Sequence, residues 1–187
     1  MYTQFEAADA KRMFACFDQP DLKATYDLTV VTPDDFVIVT NAPVSTEVKD
    51  GKTTHTSTID YKLSTYLVAL IAGPYFEVKD SWTGSLTKYP ETPEGPYGPH
   101  PGQADELTIP LSIYCRQSIA SALDADVLFE QTKQGFDFYH QVFGVMYPYH
   151  KYDQVFCPEY NMGAMENAGC VTFRDEYVFT SKPTEYR

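Results

Sequence analysis

The sequence predicts a mainly β fold with some α-helix. The prediction rests on its composition, on the alternation of polar and apolar residues, and on one segment in which apolar residues recur with a helical period. Hydrophobic residues make up 43% of the 187 residues, and the aromatic residues are mostly Tyr and Phe, which favour strands. Polar and apolar residues alternate through most of the first half, whereas a helical period appears at residues 124–143. The sequence therefore predicts an all-β first half followed by a mixed second half.

Strands are expected where polar and apolar residues alternate between turn signals. Residues 23–30 alternate cleanly, and residues 33–35 and 49–51 are typical of turns. The continuously apolar residues 65–71 predict a strand that is covered on both faces. The other predicted strands are residues 36–40, 52–59, 75–79, 107–114, 152–157 and 170–173.

The second half of the sequence contains one predicted connector and one predicted helix. Residues 89–102 are rich in Pro and Gly and have no period, which indicates a loop or connector. The predicted helix at residues 124–143 has Asp124 as a plausible N-cap and Gly144 as a plausible stop. Its expected buried face consists of Phe129, Phe136, Tyr139 and Phe143.

Charge, hydropathy and cysteine spacing narrow the class of protein. A formal net charge of −12 argues against a nucleic-acid partner. No apolar run approaches the roughly 18 residues that span a bilayer, and the first residues lack the features of a signal peptide. Four scattered cysteines without a paired Cys-x-x-Cys motif predict a reducing, cytoplasmic setting, with no metal site formed by cysteines. They are Cys16, Cys115, Cys157 and Cys170.

Residues 161–169 place one carboxylate, Glu166, among small and apolar residues between two predicted strands. Gly163 and Ala164 would let a ligand backbone approach, and an extended edge can pair with an extended peptide. Glu166 could then bind a peptide α-amine, which has a pKa of about 8 and is largely charged at neutral pH. The alternative is an ordinary loop with a solvated Glu166, and the residues alone favour that simpler interpretation.

Four segments, in order, resemble the M1 family of zinc aminopeptidases. Gly163-Ala164-Met165-Glu166-Asn167 is identical to the Gly-Ala-Met-Glu-Asn motif of that family. The other three matching segments are residues 2–12, which contain Thr-Gln-Phe-Glu, residues 14–24, which contain Cys-Phe-Asp, and residues 171–176. Two departures, Ala15 for Pro and Gln19 for Glu, fall outside the site residues. The resemblance covers essentially the whole chain, and residues 153–170 are most similar to the actinobacterial branch.

The resemblance implies a substrate-binding site. In the family, the motif strand lies beside the substrate main chain and its Glu binds the free N-terminal amine, which corresponds to Glu166 here. Gln4 and Glu6 would form the other side of the amine site, while Met165 and Asn167 would shape and brace the strand. The implied substrate-binding residues are Gln4, Glu6, Gly163, Ala164, Met165, Glu166 and Asn167, and no catalytic residue is assigned.

The resemblance also implies a zinc cofactor whose ligands are missing from this sequence. Family members hold one zinc ion with a His-Glu-x-x-His helix and a further Glu. The histidines here include no pair four residues apart, so no metal ligand is assigned among His55, His100, His140 and His150. We expect the zinc ligands and the general base to follow Arg187 in the parent protein, and the chain alone to be inactive.

The implied architecture is two incomplete domains. Residues 1–103 would form the later part of a saddle-shaped all-β N-terminal domain, and residues 104–187 the start of a thermolysin-like α+β catalytic domain. The expected partners are peptides with a free N-terminus, with no nucleic acid and no membrane. A non-catalytic, β-rich peptide-binding module related to the family is the alternative.

Overall fold

A computed structural model of the chain describes residues 1–84, 106–143 and 145–181. The predicted connector at residues 89–102, the boundary near residue 103, His100 and Gly144 lie outside the described residues. The strands are β1 (Ala24–Thr32), β2 (Val37–Thr40), β3 (Ser45–Lys49), β4 (Lys52–Leu63), β5 (Leu70–Gly73), β6 (Tyr75–Gly84), β7 (Leu107–Arg116), β8 (Tyr152–Cys157), β9 (Ala164–Met165) and β10 (Cys170–Arg174). The helix α1 is Ala125–Phe143, and 3-10 turns occur at Ala10–Arg12, Thr65–Leu67, Gln117–Ala122 and Asp175–Tyr177.

The described strands form three sheets, which confirms the prediction of a mainly β fold with some α-helix. The sheet orders are β1-β4-β3, β2-β5 and β6-β7-β8-β10-β9. The five-stranded sheet is mixed, because β8 is parallel to both β7 and β10 while β6 and β9 are antiparallel to their neighbours. Its first two strands, β6 and β7, precede and follow residue 103, so the predicted domain division stays a prediction.

In the first half of the chain, strand side chains alternate between buried and more exposed positions. In β4 the side chains of Thr53, His55, Ser57 and Ile59 are buried while their neighbours are more exposed, as the period of a strand requires. Ile59 belongs to one hydrophobic cluster, and a second cluster joins strands of the two-stranded and five-stranded sheets. One of these clusters contains Met165, so the core directly supports β9.

The predicted strand at residues 65–71 is wrong over its first half. Residues Thr65–Leu67 form a 3-10 turn, and the strand begins only at Leu70. Two side chains from other segments hold this shape: Thr65 Oγ1 donates to Asp18 Oδ1 at 2.7 Å, and Ala69 N donates to Asn41 Oδ1 at 2.7 Å. An apolar run indicates burial but does not specify a backbone period.

The predicted face of α1 is half correct. Phe129 and Phe136 are buried, whereas Tyr139 and Phe143 have exposed fractions of 57% and 66%. The buried stripe continues instead through His140, whose ring lies 4.6 Å from that of Trp82 on β6. Packing against β6 therefore determines which side chains of α1 are buried. Within the described ranges, no helix combines the length and the apolar character needed to cross a bilayer.

Candidate functional site

β9 is an edge strand with a free side. It pairs only with β10 among the described strands, in the register Thr172 to Met165 and Phe173 to Ala164. Arg174 N donates to Gly163 O at 3.1 Å, which makes Gly163 and Arg174 a hydrogen-bonded pair. Bonded and non-bonded pairs alternate in an antiparallel ladder, so the N–H and C=O of Ala164 point away from β10. An extended ligand can therefore pair with Ala164 from the open side.

The side chains of the motif alternate between core and surface. Met165 and Asn167 have exposed fractions of 1% and 2%, whereas Ala164 and Glu166 are exposed. Met165 packs in the core, and Asn167 Nδ2 donates to Thr172 Oγ1 at 3.2 Å. These contacts fit the bracing role expected of Met165 and Asn167, and their assignment as substrate contacts stays a prediction.

The first residues of the chain lie against β9, although they are far from it in sequence. Gln4 Nε2 lies 3.8 Å from Met165 Sδ, across a separation of 161 residues. The Tyr2 ring lies 5.1 Å from that of Tyr160, tilted by 53°, and its hydroxyl donates to Glu159 O at 3.0 Å. The structure thus brings together the two segments that the sequence predicts to share a site.

Glu6 and Glu166 are the two carboxylates that the sequence assigns to the amine site. Both side chains are exposed, and Glu6 N donates to Gln4 Oε1 at 2.9 Å, which orients the Gln4 amide. The peptide bond between Glu6 and Ala7 is cis. Within residues 1–84, 106–143 and 145–181, neither carboxylate makes a hydrogen bond or an ion pair. Both can therefore accept hydrogen bonds from a ligand. That they bind the same ammonium group stays a prediction.

The turn after Glu166 is held by Asn41, a residue that sequence reasoning missed. Asn41 is fully buried, and its Nδ2 donates to Ala168 O at 2.9 Å and to Leu67 O at 2.8 Å. Gly169 has φ +70°, and a Cβ atom there would lie 2.4 Å from Asn41 O. Nothing in the local sequence of Asn41 indicates this contact, because its partners are far along the chain.

A buried lysine holds the same turn from another side. Lys151 Nζ donates to Thr40 O at 2.7 Å and to Gly169 O at 3.0 Å, and it pairs with Asp153 Oδ2. Burial raises the pKa of the Asp153 carboxyl, while the neighbouring Lys151 ammonium opposes that shift. A Lys-x-Asp pattern at the start of the strand predicted at residues 152–157 is the available signal, since buried charges are paired.

The described histidines are not arranged to hold zinc. His55 Nε2 lies 2.9 Å from Thr32 Oγ1, His140 Nε2 accepts from Tyr147 N at 2.9 Å, and His150 lies 3.0 Å from a surface carboxylate. No group of three or more possible ligands occurs among the residues that the structure describes. The donor set present here therefore does not fit a zinc ion, which needs at least three protein ligands.

Comparison with known proteins matches both halves of the chain to one family. Residues 1–67 match the peptidase M1 N-terminal domain, and residues 127–186 match the peptidase family M1 domain. The chain is 45% identical to aminopeptidase N of Streptomyces lividans over 99% of its length, which is 19% of that protein. It is 32% identical to aminopeptidase M1 of Arabidopsis thaliana over 92% of its length, which is 17% of that protein.

A further relative is aminopeptidase N of Acetobacter pasteurianus, with 32% identity over 98% of this chain and 45% of that protein. The chain therefore spans about a fifth of the length of the Streptomyces and Arabidopsis relatives and under half of the Acetobacter one. The family matches confirm the resemblance drawn from the motifs. The chain belongs to the M1 peptidase family.

Proposed function

We propose that this chain supplies the peptide-binding side of the active site in a zinc aminopeptidase that releases N-terminal residues from peptides. The observation that carries the proposal is the contact between Gln4 and Met165, which sets the first residues of the chain beside an open strand edge. The similarity to proteins named aminopeptidases supports the reaction class.

The substrate main chain would lie along β9. Ala164 has one donor and one acceptor on the open side, and strand addition uses such groups to bind an extended peptide. Gly163, which precedes Ala164, leaves room for the Tyr177 hydroxyl, since a Cβ atom there would lie 3.0 Å from Tyr177 Oη. Main-chain pairing of this kind is independent of side chains, so it suits an enzyme that acts on many peptides.

The substrate amine would lie between Glu6 and Glu166. A free α-amine is largely protonated at neutral pH and can pair with both carboxylates. An interior peptide bond offers no such charge and would forgo these charge-assisted hydrogen bonds, each of which contributes about 1.5–3 kcal/mol. This difference favours removal of N-terminal residues over cleavage within a peptide.

We propose that zinc is bound by parts of the protein outside this chain, because the described residues do not fit the ion. The isolated chain is then expected to show no peptidase activity, with or without added zinc. An aminoacyl reporter substrate tests this on the purified chain, and zinc-dependent hydrolysis would contradict it. Peptide binding without hydrolysis by the intact protein would instead support the non-catalytic module.

We propose that the protein resides in a reducing, cytoplasmic compartment, because its cysteines are free thiols. All four are free thiols, and three of them are buried. Burial raises the pKa of Cys157 and Cys170 to about 12, which keeps both thiols protonated and unreactive. The proposed partners are peptides with a free N-terminus, and the net charge of −12 disfavours nucleic acid.

The amine site is tested by Glu166→Gln and Glu6→Gln in the intact enzyme. Each should lower kcat/KM on unblocked peptides by about 10- to 150-fold, because a hydrogen bond to a charged group contributes about 1.5–3 kcal/mol. Glu47→Gln, on the exposed strand β3, is the matched control and should leave kcat/KM unchanged. Wild-type kcat/KM in both test variants would refute the amine site.

A further inference from the structure

Among the residues that the structure describes, none bonds to the Glu166 side chain, yet the backbone on both sides of it is anchored. Met165, before it, belongs to the β9–β10 ladder, and Asn167, after it, is bonded to Thr172 Oγ1. The next residue, Ala168, is bonded through its carbonyl to Asn41. The position of the Glu166 carboxylate is therefore set by what holds the backbone of the turn that follows it.

We propose that Asn41, assisted by Lys151, is a positioning residue that fixes the turn at residues 167–169 and thereby places Glu166 for amine binding. This inference rests on the proposed function, since it assigns a role to residues that act through Glu166. It extends the site into the N-terminal sheets, because Asn41 follows directly after β2.

Asn41 is suited to this role because its amide is fully used. One amide nitrogen donates to Leu67 O at 2.8 Å and to Ala168 O at 2.9 Å, while the amide oxygen accepts from Ala69 N at 2.7 Å. The side chain thus binds three separate backbone positions inside the core. Breaking any one of these bonds leaves a buried polar group unpaired, which is unfavourable.

Lys151 makes the same connection from the five-stranded sheet. Its ammonium joins Thr40 O, in β2, to Gly169 O, in the turn, at 2.7 and 3.0 Å. Asn41 and Lys151 therefore hold two successive carbonyls, those of Ala168 and Gly169, against the end of β2. Displacement of the turn would weaken or break these buried hydrogen bonds, of which those from Lys151 are charge-assisted.

The contact between Asn41 and Gly169 leaves no room for adjustment. A Cβ atom on Gly169 would lie 2.4 Å from Asn41 O and 3.4 Å from Lys151 O. Only glycine allows the backbones to approach this closely. The same two residues that bond to the turn thus also define the surface on which it rests.

The test uses Asn41→Asp in the intact enzyme. The substituted side chain keeps nearly the same shape and its acceptor for Ala69 N, but an ionised carboxylate cannot donate to Ala168 O or to Leu67 O. We expect kcat/KM on unblocked peptides to fall about 10- to 100-fold, the range for a misplaced binding group. Lys151→Met is the second variant, for use if the first does not fold. It should be tolerated, because Asp153 can take up a proton when the Lys151 ammonium is lost.

Ser57→Ala is the matched control. Ser57 is buried on β4, and its hydroxyl bonds to Thr40 Oγ1 at 2.7 Å and to Ala42 O at 3.3 Å, away from the turn. This variant should lose stability comparably, as shown by thermal unfolding, while its kcat/KM stays near wild type. The control separates loss of position from loss of stability.

The decisive readout is the same substitution in a Glu166→Gln background. If Asn41 acts through Glu166, the substitution should lower kcat/KM much less once Glu166 is already replaced, since effects of coupled residues are not additive. An equal fall in both backgrounds, or no fall in either, would overturn the inference while leaving the amine site intact. If Glu166→Gln alone leaves kcat/KM unchanged, the proposed function and this inference are both overturned.

Discussion

Two glycines share one backbone conformation but have different surroundings. Gly51, in the hairpin between β3 and β4, and Gly169, in the turn after β9, both have φ +70°. A Cβ atom on Gly51 would meet nothing within 4 Å, whereas one on Gly169 would lie 2.4 Å from Asn41 O. The first glycine serves only the turn in which it lies, and the second also serves a contact with a distant segment.

The difference shows how each turn is specified. Asp50 and Gly51 both have positive φ, which suits the tight turn of a two-residue hairpin, so neighbouring residues alone explain its shape. The turn at residues 167–169 depends on Asn41, whose bonding partner Ala168 lies 127 residues away. A turn of the second kind can place a functional side chain relative to the rest of the protein, whereas the first kind cannot.

The sharpest test of this comparison is alanine at each glycine. Gly51→Ala should destabilise the protein by about 1–2 kcal/mol, the strain of a positive φ in a residue with a side chain. Gly169→Ala adds a steric clash of about 1–3 kcal/mol to the same strain and should lose about 2–5 kcal/mol in total. Chemical unfolding of the intact protein measures both, and equal losses would contradict the difference in packing.

A second test asks whether β9, which the packed turn supports, binds substrate through its backbone. Ala164→Pro removes the N–H that faces the open side, at an edge position that tolerates proline. We expect kcat/KM on peptides to fall about fivefold, for the loss of about 1 kcal/mol of hydrogen bonding. Ala164→Gly keeps the N–H and should retain near wild-type kcat/KM. Equal kcat/KM in the proline and glycine variants would show that this N–H is unused.

The smallest expected effect concerns another contact between distant segments. The Thr65 hydroxyl, which donates to Asp18 at 2.7 Å, holds the pKa of that carboxyl below its usual range. A lowered folded-state pKa stabilises the protein above the unfolded pKa of about 4, and this contribution is lost as the pH falls through the folded value. Asp18→Asn should therefore lower the melting temperature at neutral pH and reduce its fall in acid.

The exposed Asp35 provides the control for this pH dependence. Asp35→Asn should change the melting temperature little at either pH. If Asp18→Asn and Asp35→Asn give the same pH profile, the Thr65 contact contributes no measurable stability.

Sequence reasoning succeeded where neighbouring residues carry the information. The alternating segments became strands, and residues 152–157 form β8 with the predicted bounds. It failed for residues 65–67, because the Asp18 and Asn41 side chains that shape this region come from other segments. It failed also for Tyr139 and Phe143, since a helical period does not say which part of an apolar face will meet a sheet.

The candidate site divides in the same way. The motif at residues 163–167 and the segment containing Gln4 and Glu6 were identified from their residues and their resemblance to the family. Asn41 and Lys151 were not, because a single buried amide or ammonium has meaning only through its partners. Those partners are contributed by β2 and by residues 67–69 and 168–169.

The sequence by itself determined the mainly β character, the helix, the turn at Asp50-Gly51 and the family. Only the tertiary structure decided that Gln4 lies beside Met165, that Met165 and Asn167 face the core, and that Asn41 supports the turn after Glu166. Local conformation follows from adjacent side chains and backbone freedom. Contacts between residues more than a hundred positions apart form only when packing and buried hydrogen bonds offset the entropy of closing long loops.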